Sequence, residues 1–240
     1  METEHLSPGE EALLKKIREE GEARFMEEKA MKVRNYRTLN RLAQKGGILF
    51  TGSSLMEQFP VTELCASAGI PGPVYNRGIG GTTTDDFLRE ISTVLLDPAP
   101  AKVFINIGTN DMTDRVWGGG WMDHLVSNYE KILTIAREKL PETEVYVMAF
   151  YPANLHLPGS DDPGRQAMLR FRTPENIREC SRRVGALAEK LSCHAINVNR
   201  GLNDAGGELK AEYTTDGVHM TAEAYTVIFE NLLPFLRQER

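Results

Sequence analysis

Residues 103–111 read Val103-Phe104-Ile105-Asn106-Ile107-Gly108-Thr109-Asn110-Asp111. The run is nearly all β-branched or aromatic, carries no charge, and stops at a glycine followed by turn-forming polar residues. A near-continuous apolar strand is what a sheet covered on both faces requires. The form recurs along the chain. Ile48-Leu49-Phe50 ends at Gly52, and Val74-Tyr75-Asn76 enters Gly78-Ile79-Gly80-Gly81. Val145 to Phe150 ends at Tyr151-Pro152, and Ala195-Ile196-Asn197-Val198 is the last such run.

Helical patterns fill the gaps. Thr83 or Thr84 before Asp85 and Asp86 predicts a helix start, running on through Phe87, Leu88 and Ile91. Leu125, Tyr129, Ile132, Leu133 and Ala136 recur at helical spacing. Thr173 before Pro174 and Glu175 is an N-cap and first turn, after which Ile177, Cys180, Val184, Leu187, Ala188 and Leu191 share a face. Tyr225, Ile228, Leu232, Phe235 and Leu236 line a final helix, which Pro234 is expected to kink or end. Strand alternating with helix implies a parallel sheet with right-handed crossovers. Residues 151–173 fit no element and hold three prolines and two glycines. A loop of that length reads as a rim or lid facing substrate.

Upstream lies a different texture. Residues 10–45 are rich in Glu, Lys and Arg around a thin stripe that includes Leu13, Leu14, Ile17, Phe25, Met31, Val33, Tyr36 and Leu39. One or two helices are expected there, closed by Gly46-Gly47. The division is therefore residues 1–46, a helical extension packed on the domain, and residues 47–240, the domain itself. A homo-oligomer formed through the N-terminal helices is the sharper reading of the same stripe.

Bulk properties exclude several classes. At 240 residues the chain suits one large domain or two small ones, and no linker divides it after residue 47. A net charge of −6 gives no electrostatic reason to bind nucleic acid or an anionic membrane. Cys65, Cys180 and Cys193 are too few for a disulfide framework and lack metal-ligand spacing. They read as small hydrophobes in a reducing compartment. Met1 to His5 has no signal-like apolar core, and no apolar run approaches the ~20 residues that span a bilayer. A cytoplasmic protein with a small-molecule substrate, no metal and no organic cofactor is expected.

Ligands of open parallel sheets bind outside the carboxyl ends of the strands. Three clusters fall there: Thr51-Gly52-Ser53-Ser54-Leu55, Asn76 to Thr82, and Gly108 to Asp111. Each has a plain structural reading as a tight turn, a phosphate cradle or a run of turn residues. The glycine cluster lacks the dinucleotide fingerprint and the P-loop lysine. Behind the last strand, just before the last helix, Asp216 and His219 stand three residues apart in Thr215-Asp216-Gly217-Val218-His219-Met220. The spacing alone proves little, since Glu2 and His5 share it. Its position beside the other strand ends supplies a nucleophile, oxyanion donors and a base with its orienter. No Gly-x-Ser-x-Gly elbow is present, which argues against an α/β-hydrolase.

These four blocks, in this order, resemble the GDSL-type hydrolases, also called the SGNH hydrolase superfamily. The resemblance runs from about residue 48 to the C-terminus. It implies, with the alternating pattern, a three-layer α/β/α (flavodoxin-like) fold with a central, mainly parallel five-stranded sheet plus the N-terminal helical extension. It makes Ser54 the nucleophile, a choice between Ser53 and Ser54 that the residues alone leave open. Asp216 and His219 become the acid and base, and Ser54, Gly81 and Asn110 the oxyanion hole. Ser53 stands where the motif has Asp, and its hydroxyl is expected to supply a similar local backbone hydrogen bond.

Of the remaining residues, Trp117 and Trp121 flank Gly118 to Gly120 and could wall the substrate or pack the loop. Arg77 lies beside the glycine block and could touch substrate or form a surface ion pair. His124 and His194 read as structural, and His156 as a solvated loop histidine. The expected activity is hydrolysis of a short-chain acyl ester, acetyl first, with an O-acetylated carbohydrate as the preferred class. Lysophospholipase or thioesterase activity, acyl transfer, and a non-catalytic binding domain are the alternatives.

Overall fold

The computed structural model describes residues 7–157 and 162–237. Glu2 and His5, and residues 158–161 of the expected loop, lie outside them. The chain opens with α1 (Pro8–Asn40), then β1 (Ile48–Gly52), α2 (Ser54–Glu57), α3 (Val61–Ser67) and β2 (Val74–Asn76). Next come α4 (Thr84–Arg89), β3 (Lys102–Asn106), α5 (Asp114–Trp117), α6 (Trp121–Lys139) and β4 (Glu144–Met148). The last part holds α7 (Pro163–Leu169), α8 (Pro174–Lys190), β5 (His194–Ile196) and α9 (Ala222–Arg237).

The five strands form one parallel sheet in the order β2-β1-β3-β4-β5. Helices cover both faces, giving the three-layer α/β/α architecture. The register stacks a ring ladder across the sheet, because Phe50 pairs with Phe104, Phe104 with Tyr146 and Tyr146 with His194. Ring centroids along it are 4.9, 4.8 and 4.7 Å apart. Phe59 and Tyr225, stacked at 4.9 Å, join α2–α3 to α9 on that side. Leu49, Val103 and Ile105, next along their strands, point to the opposite face and are fully buried. Among the described residues, no helix is long and apolar enough to cross a membrane.

Local chemistry explains the helix starts. Thr83 caps α4 with a reciprocal capping box to Asp86, and Thr173 accepts from the Asn176 N–H with Pro174 in the first turn of α8. The segment 151–173 departs from the expected loop. Asp162 caps α7 through the Arg165 N–H, with Pro163 at its first position. Asp-Pro here carries the same start signal as Thr173-Pro174. Pro234 does not end α9, which continues to Arg237. Leu232 and Leu236, buried before and after it, hold the last turn on the core.

The N-terminal segment is a single helix, α1, of 33 residues. Val33 and Asn40 are buried and Tyr36 is half-buried against the domain, whereas Leu13, Leu14 and Ile17 are about half exposed or more. Only the second half of α1 packs on the sheet domain.

Candidate active site

Ser54 is the first residue of α2, immediately beyond the carboxyl end of β1. His219 Nε2 lies 2.9 Å from its hydroxyl oxygen. The other imidazole nitrogen, Nδ1, lies 2.6 Å from Asp216 Oδ2. Asp216 Oδ1 accepts from the N–H groups of Val218 and His219, each at 2.8 Å. The carboxylate therefore fixes the loop and the ring at once. Its partial burial would raise the Asp216 pKa. The hydrogen bonds from His219 and from the two backbone N–H groups outweigh that and hold it well below the ordinary carboxylate range. An ionised Asp216 at Nδ1 leaves the Nε2 lone pair aimed at Ser54.

The turn that carries this pair is locked by contacts the sequence does not announce. Gly217 sits at φ +91, and a Cβ on it would stand 2.4 Å from the Asn154 carbonyl oxygen. Its own carbonyl accepts from the Asn154 N–H at 2.8 Å. Residues 151–157 thus buttress the His219 turn. Arg172, almost fully buried, lies close enough to Asp216 for the carboxylate to oppose the desolvation that pushes the guanidinium pKa down to about 10. The connection from β5 to this turn spans residues 197–215.

On the other side of Ser54 stands the glycine loop. The Gly78 N–H goes to Asn76 Oδ1 at 2.8 Å, the Ile79 N–H to the Gly52 carbonyl at 3.0 Å, and the Gly80 N–H to Glu57 Oε2 at 2.5 Å. Gly81 follows at φ +67, a conformation that disfavours a Cβ. Among the described residues, neither its N–H nor that of Ser54 meets an acceptor. Asn110 sits on the turn after β3, and its Nδ2 donates to the Thr82 carbonyl at 3.0 Å, which occupies one of its two hydrogens. Asp111, next to it and fully buried, accepts from the Thr84 N–H and hydroxyl. Burial raises the Asp111 pKa to about 6 against the Thr84 hydrogen bonds.

Three expectations need correction. Arg77 does not face substrate. Its side chain is 5% exposed, sits 5.0 and 5.4 Å from the Tyr36 and Tyr75 rings, and donates to Asn40 Oδ1 at 2.8 Å. Its aromatic neighbours and the α1 amide hold it in the α1 interface. Trp121 is also buried, edge-on to Phe171, and packs the core. Trp117 is half-buried and stacks on His124 at 4.2 Å, and His124 Nε2 in turn lies 2.8 Å from Asp85 Oδ2. The third concerns Ser53. Its buried hydroxyl finds no hydrogen-bond partner among the described residues, so it does not replace a motif carboxylate. A hydroxyl reaches less far than a carboxylate. The chain therefore accepts an orphan polar group beside Ser54.

A hydroxyl, an imidazole and a carboxylate in series at the carboxyl rim of a parallel sheet, facing unengaged N–H groups, are the layout of an acyl-transfer centre in an α/β hydrolytic enzyme. The chain belongs to the GDSL-like Lipase/Acylhydrolase family, whose model matches residues 57–227, beginning just after Ser54. It is accordingly an ester-hydrolysing enzyme. It is 28% identical to a solved Streptococcus pneumonia protein described as a candidate platelet activating factor, at a TM-score of 0.78 covering 94% of this chain and 99% of that one. It is 23% identical to the bovine (Bos taurus) platelet-activating factor acetylhydrolase IB subunit alpha1 over 75% of this chain and 71% of that protein. The acetylxylan esterase Axe2 of Geobacillus stearothermophilus shares the fold, with 17% identity and a TM-score of 0.61 over 82% of this chain and 96% of that one.

Proposed function

We propose that the protein is a serine esterase that hydrolyses a short-chain acyl ester, acetyl foremost, through an acyl-enzyme on Ser54. The observation that carries this reading is the 2.9 Å approach of His219 Nε2 to the Ser54 hydroxyl with Asp216 behind the ring. Ser54 Oγ attacks the acyl carbonyl as its proton passes to Nε2. The carbonyl oxygen becomes an oxyanion and accepts from the N–H groups of Ser54 and Gly81 and from the Asn110 amide. Each such donor is worth ~3–4 kcal/mol of barrier in comparable sites. Collapse expels the alkoxide, which takes the proton from Nε2 and leaves as the alcohol. Water then attacks the acyl-enzyme, its proton going to Nε2. The second tetrahedral adduct releases the acid and returns the proton to Ser54.

The acetyl preference draws on the relatives. One is an acetylhydrolase by name and another an acetylxylan esterase. The latter supports an acetylated carbohydrate as the substrate class. The test is a chain-length series of p-nitrophenyl esters beside acetylated xylo-oligosaccharide, with Ser54→Ala as the control. Turnover should be fastest with acetyl, and acetate should be released from the oligosaccharide. Rates that climb steadily beyond butyryl would overturn the short-acyl reading, and turnover that survives Ser54→Ala would overturn the nucleophile.

A further inference from the structure

The second half of α1 faces the glycine loop residue by residue. Phe25 lies against Gly81, whose added Cβ would stand 2.1 Å from the Phe25 ring. Lys29 Nζ donates to the Gly81 carbonyl at 3.3 Å and pairs with Asp86 at 2.6 Å. Lys32 Nζ pairs with Glu57 at 2.5 Å, and the second oxygen of that carboxylate takes the Gly80 N–H. The Tyr36 hydroxyl donates to the Gly78 carbonyl at 2.8 Å. Positions 25, 29, 32 and 36 recur at steps of four, three and four, which is one face of a helix. That face therefore reaches the loop at Gly78, Gly80 and Gly81.

We propose that Lys29, Lys32 and Tyr36 are positioning residues that hold the loop 78–81 so that the Gly81 N–H is aimed at the reacting acyl oxygen. The inference rests on the reading of Gly81 as an oxyanion donor. The physical need is plain. Three of the four residues in this loop are glycines, the least restrained residue type, and the loop makes no regular strand pairing of its own. An oxyanion donor works only when it is fixed before the reaction, and about 1 Å of displacement can cost 10²-fold in rate. The domain itself fixes the N–H groups of Gly78, Ile79 and Gly80. The carbonyls of Gly78 and Gly81 are instead held by α1. The Lys29 and Asp86 side chains are only 13% and 21% exposed, so their contact is shielded far better than a surface pair. Arg77, wedged between Tyr36 and Tyr75 and bonded to Asn40, ties the same helix to the first residues of the loop.

The experiment uses the full chain and p-nitrophenyl acetate. Tyr36→Phe removes one hydroxyl and keeps the ring against Arg77. Lys29→Met removes the ammonium, and Lys29→Arg restores a cation. Leu13→Ala, on the exposed first half of α1, is the control. Kcat should fall about tenfold in Tyr36→Phe and in Lys29→Met, and about 100-fold in the pair, while KM stays within twofold. The midpoint of the kcat/KM pH profile should not move, because His219 and Asp216 are untouched, and Lys29→Arg should recover most of the rate. A fall in kcat no larger than that of Leu13→Ala overturns the proposal. So does a loss accompanied by a displaced pH profile, which would mean that α1 supports the imidazole and not the loop. Should Lys29→Met fail to fold, Tyr36→Phe decides the matter alone. Activity retained in Ser54→Ala would sink the underlying site, whereas loss in Ser54→Ala with full rates in the α1 variants sinks only the clamp.

Discussion

His219 Nε2 and the Ser54 hydroxyl meet at 2.9 Å although 165 residues separate them in the chain. Ser54 begins α2 directly after β1, and His219 is carried by the turn before α9. Ser54→Ala removes the attacking oxygen and leaves the packing of α2 intact, since the side chain faces the rim. Activity on p-nitrophenyl acetate should drop by about 10⁴-fold or more, with the thermal midpoint unchanged within about 2 °C. A fluorophosphonate probe should label the parent protein and leave the variant unlabelled. Equal labelling of the two would exclude Ser54 as the reacting group.

Asp216 does two jobs that one substitution can separate. Asp216→Asn keeps an oxygen to accept from the Val218 and His219 N–H groups but presents an amide to Nδ1. The ring then favours the tautomer with its proton on Nε2, facing Ser54. Kcat should fall on the order of 10³- to 10⁴-fold near neutral pH. The stability effect follows from the depressed pKa of Asp216. Below the ordinary carboxylate range the unfolded chain takes up a proton that the folded one refuses. The contribution is therefore present above the unfolded pKa and lost as pH falls toward the folded one. Acid unfolding of the parent should steepen in that window relative to the variant. Superimposable acid-denaturation curves would refute the assignment.

The sheet was legible because buried parallel strands write themselves as uncharged runs. All five appear within two residues of where the apolar stretches lie. Strand ends in an open sheet converge, which made a hydroxyl, a base and its orienter legible as one cluster, while the choice of Ser54 over Ser53 rested on the resemblance to the GDSL-type hydrolases. What stayed hidden depends on which residues meet across long separations. Lys29 and Gly81 are 52 residues apart, and Asn154 and Gly217 meet only because two loops cross. Arg77 and Trp121 look like site residues from their neighbours in sequence, yet both side chains turn inward. Asp162-Pro163, by contrast, carried a helix-start signal that a proline-rich stretch obscured.

Gly81 and Phe25 offer a test of how tightly the loop is held. Gly81→Ala must adopt φ near +67 with a Cβ, costing about 1–2 kcal/mol, and must push the Phe25 ring aside. The ring is 45% exposed and can swing outward, so the fold should survive with a thermal midpoint lowered by a few degrees. Kcat should fall 10- to 100-fold, because the displaced atom is next to the proposed donor. Adding Phe25→Ala should recover part of the loss, leaving only the backbone cost. Strict additivity of the two substitutions in a double-mutant cycle would contradict their contact.

Asp111 makes the fold carry a penalty that grows as pH rises from about 4 to about 6 and persists above it. Burial pushes its carboxyl up from the ordinary 3.8 to about 6, because it disfavours the charge more than the Thr84 N–H and hydroxyl favour it. Between those values the folded chain binds the extra proton. Stability from this group is full below about pH 4 and declines as pH rises through about 6. A displacement of about two pKa units corresponds to about 3 kcal/mol as an upper figure. Asp111→Asn cannot ionise and keeps an oxygen for Thr84, whose own hydroxyl also accepts from Asn128 at 2.9 Å. Urea unfolding at pH 4, 5, 6 and 7 should therefore show the variant gaining on the parent as pH rises, with the gain levelling off above pH 6. The same network sits one residue from Asn110 and at the start of α4, just after Gly81. Parallel stability curves for the two proteins would show that Asp111 ionises in the fold as freely as in the unfolded chain.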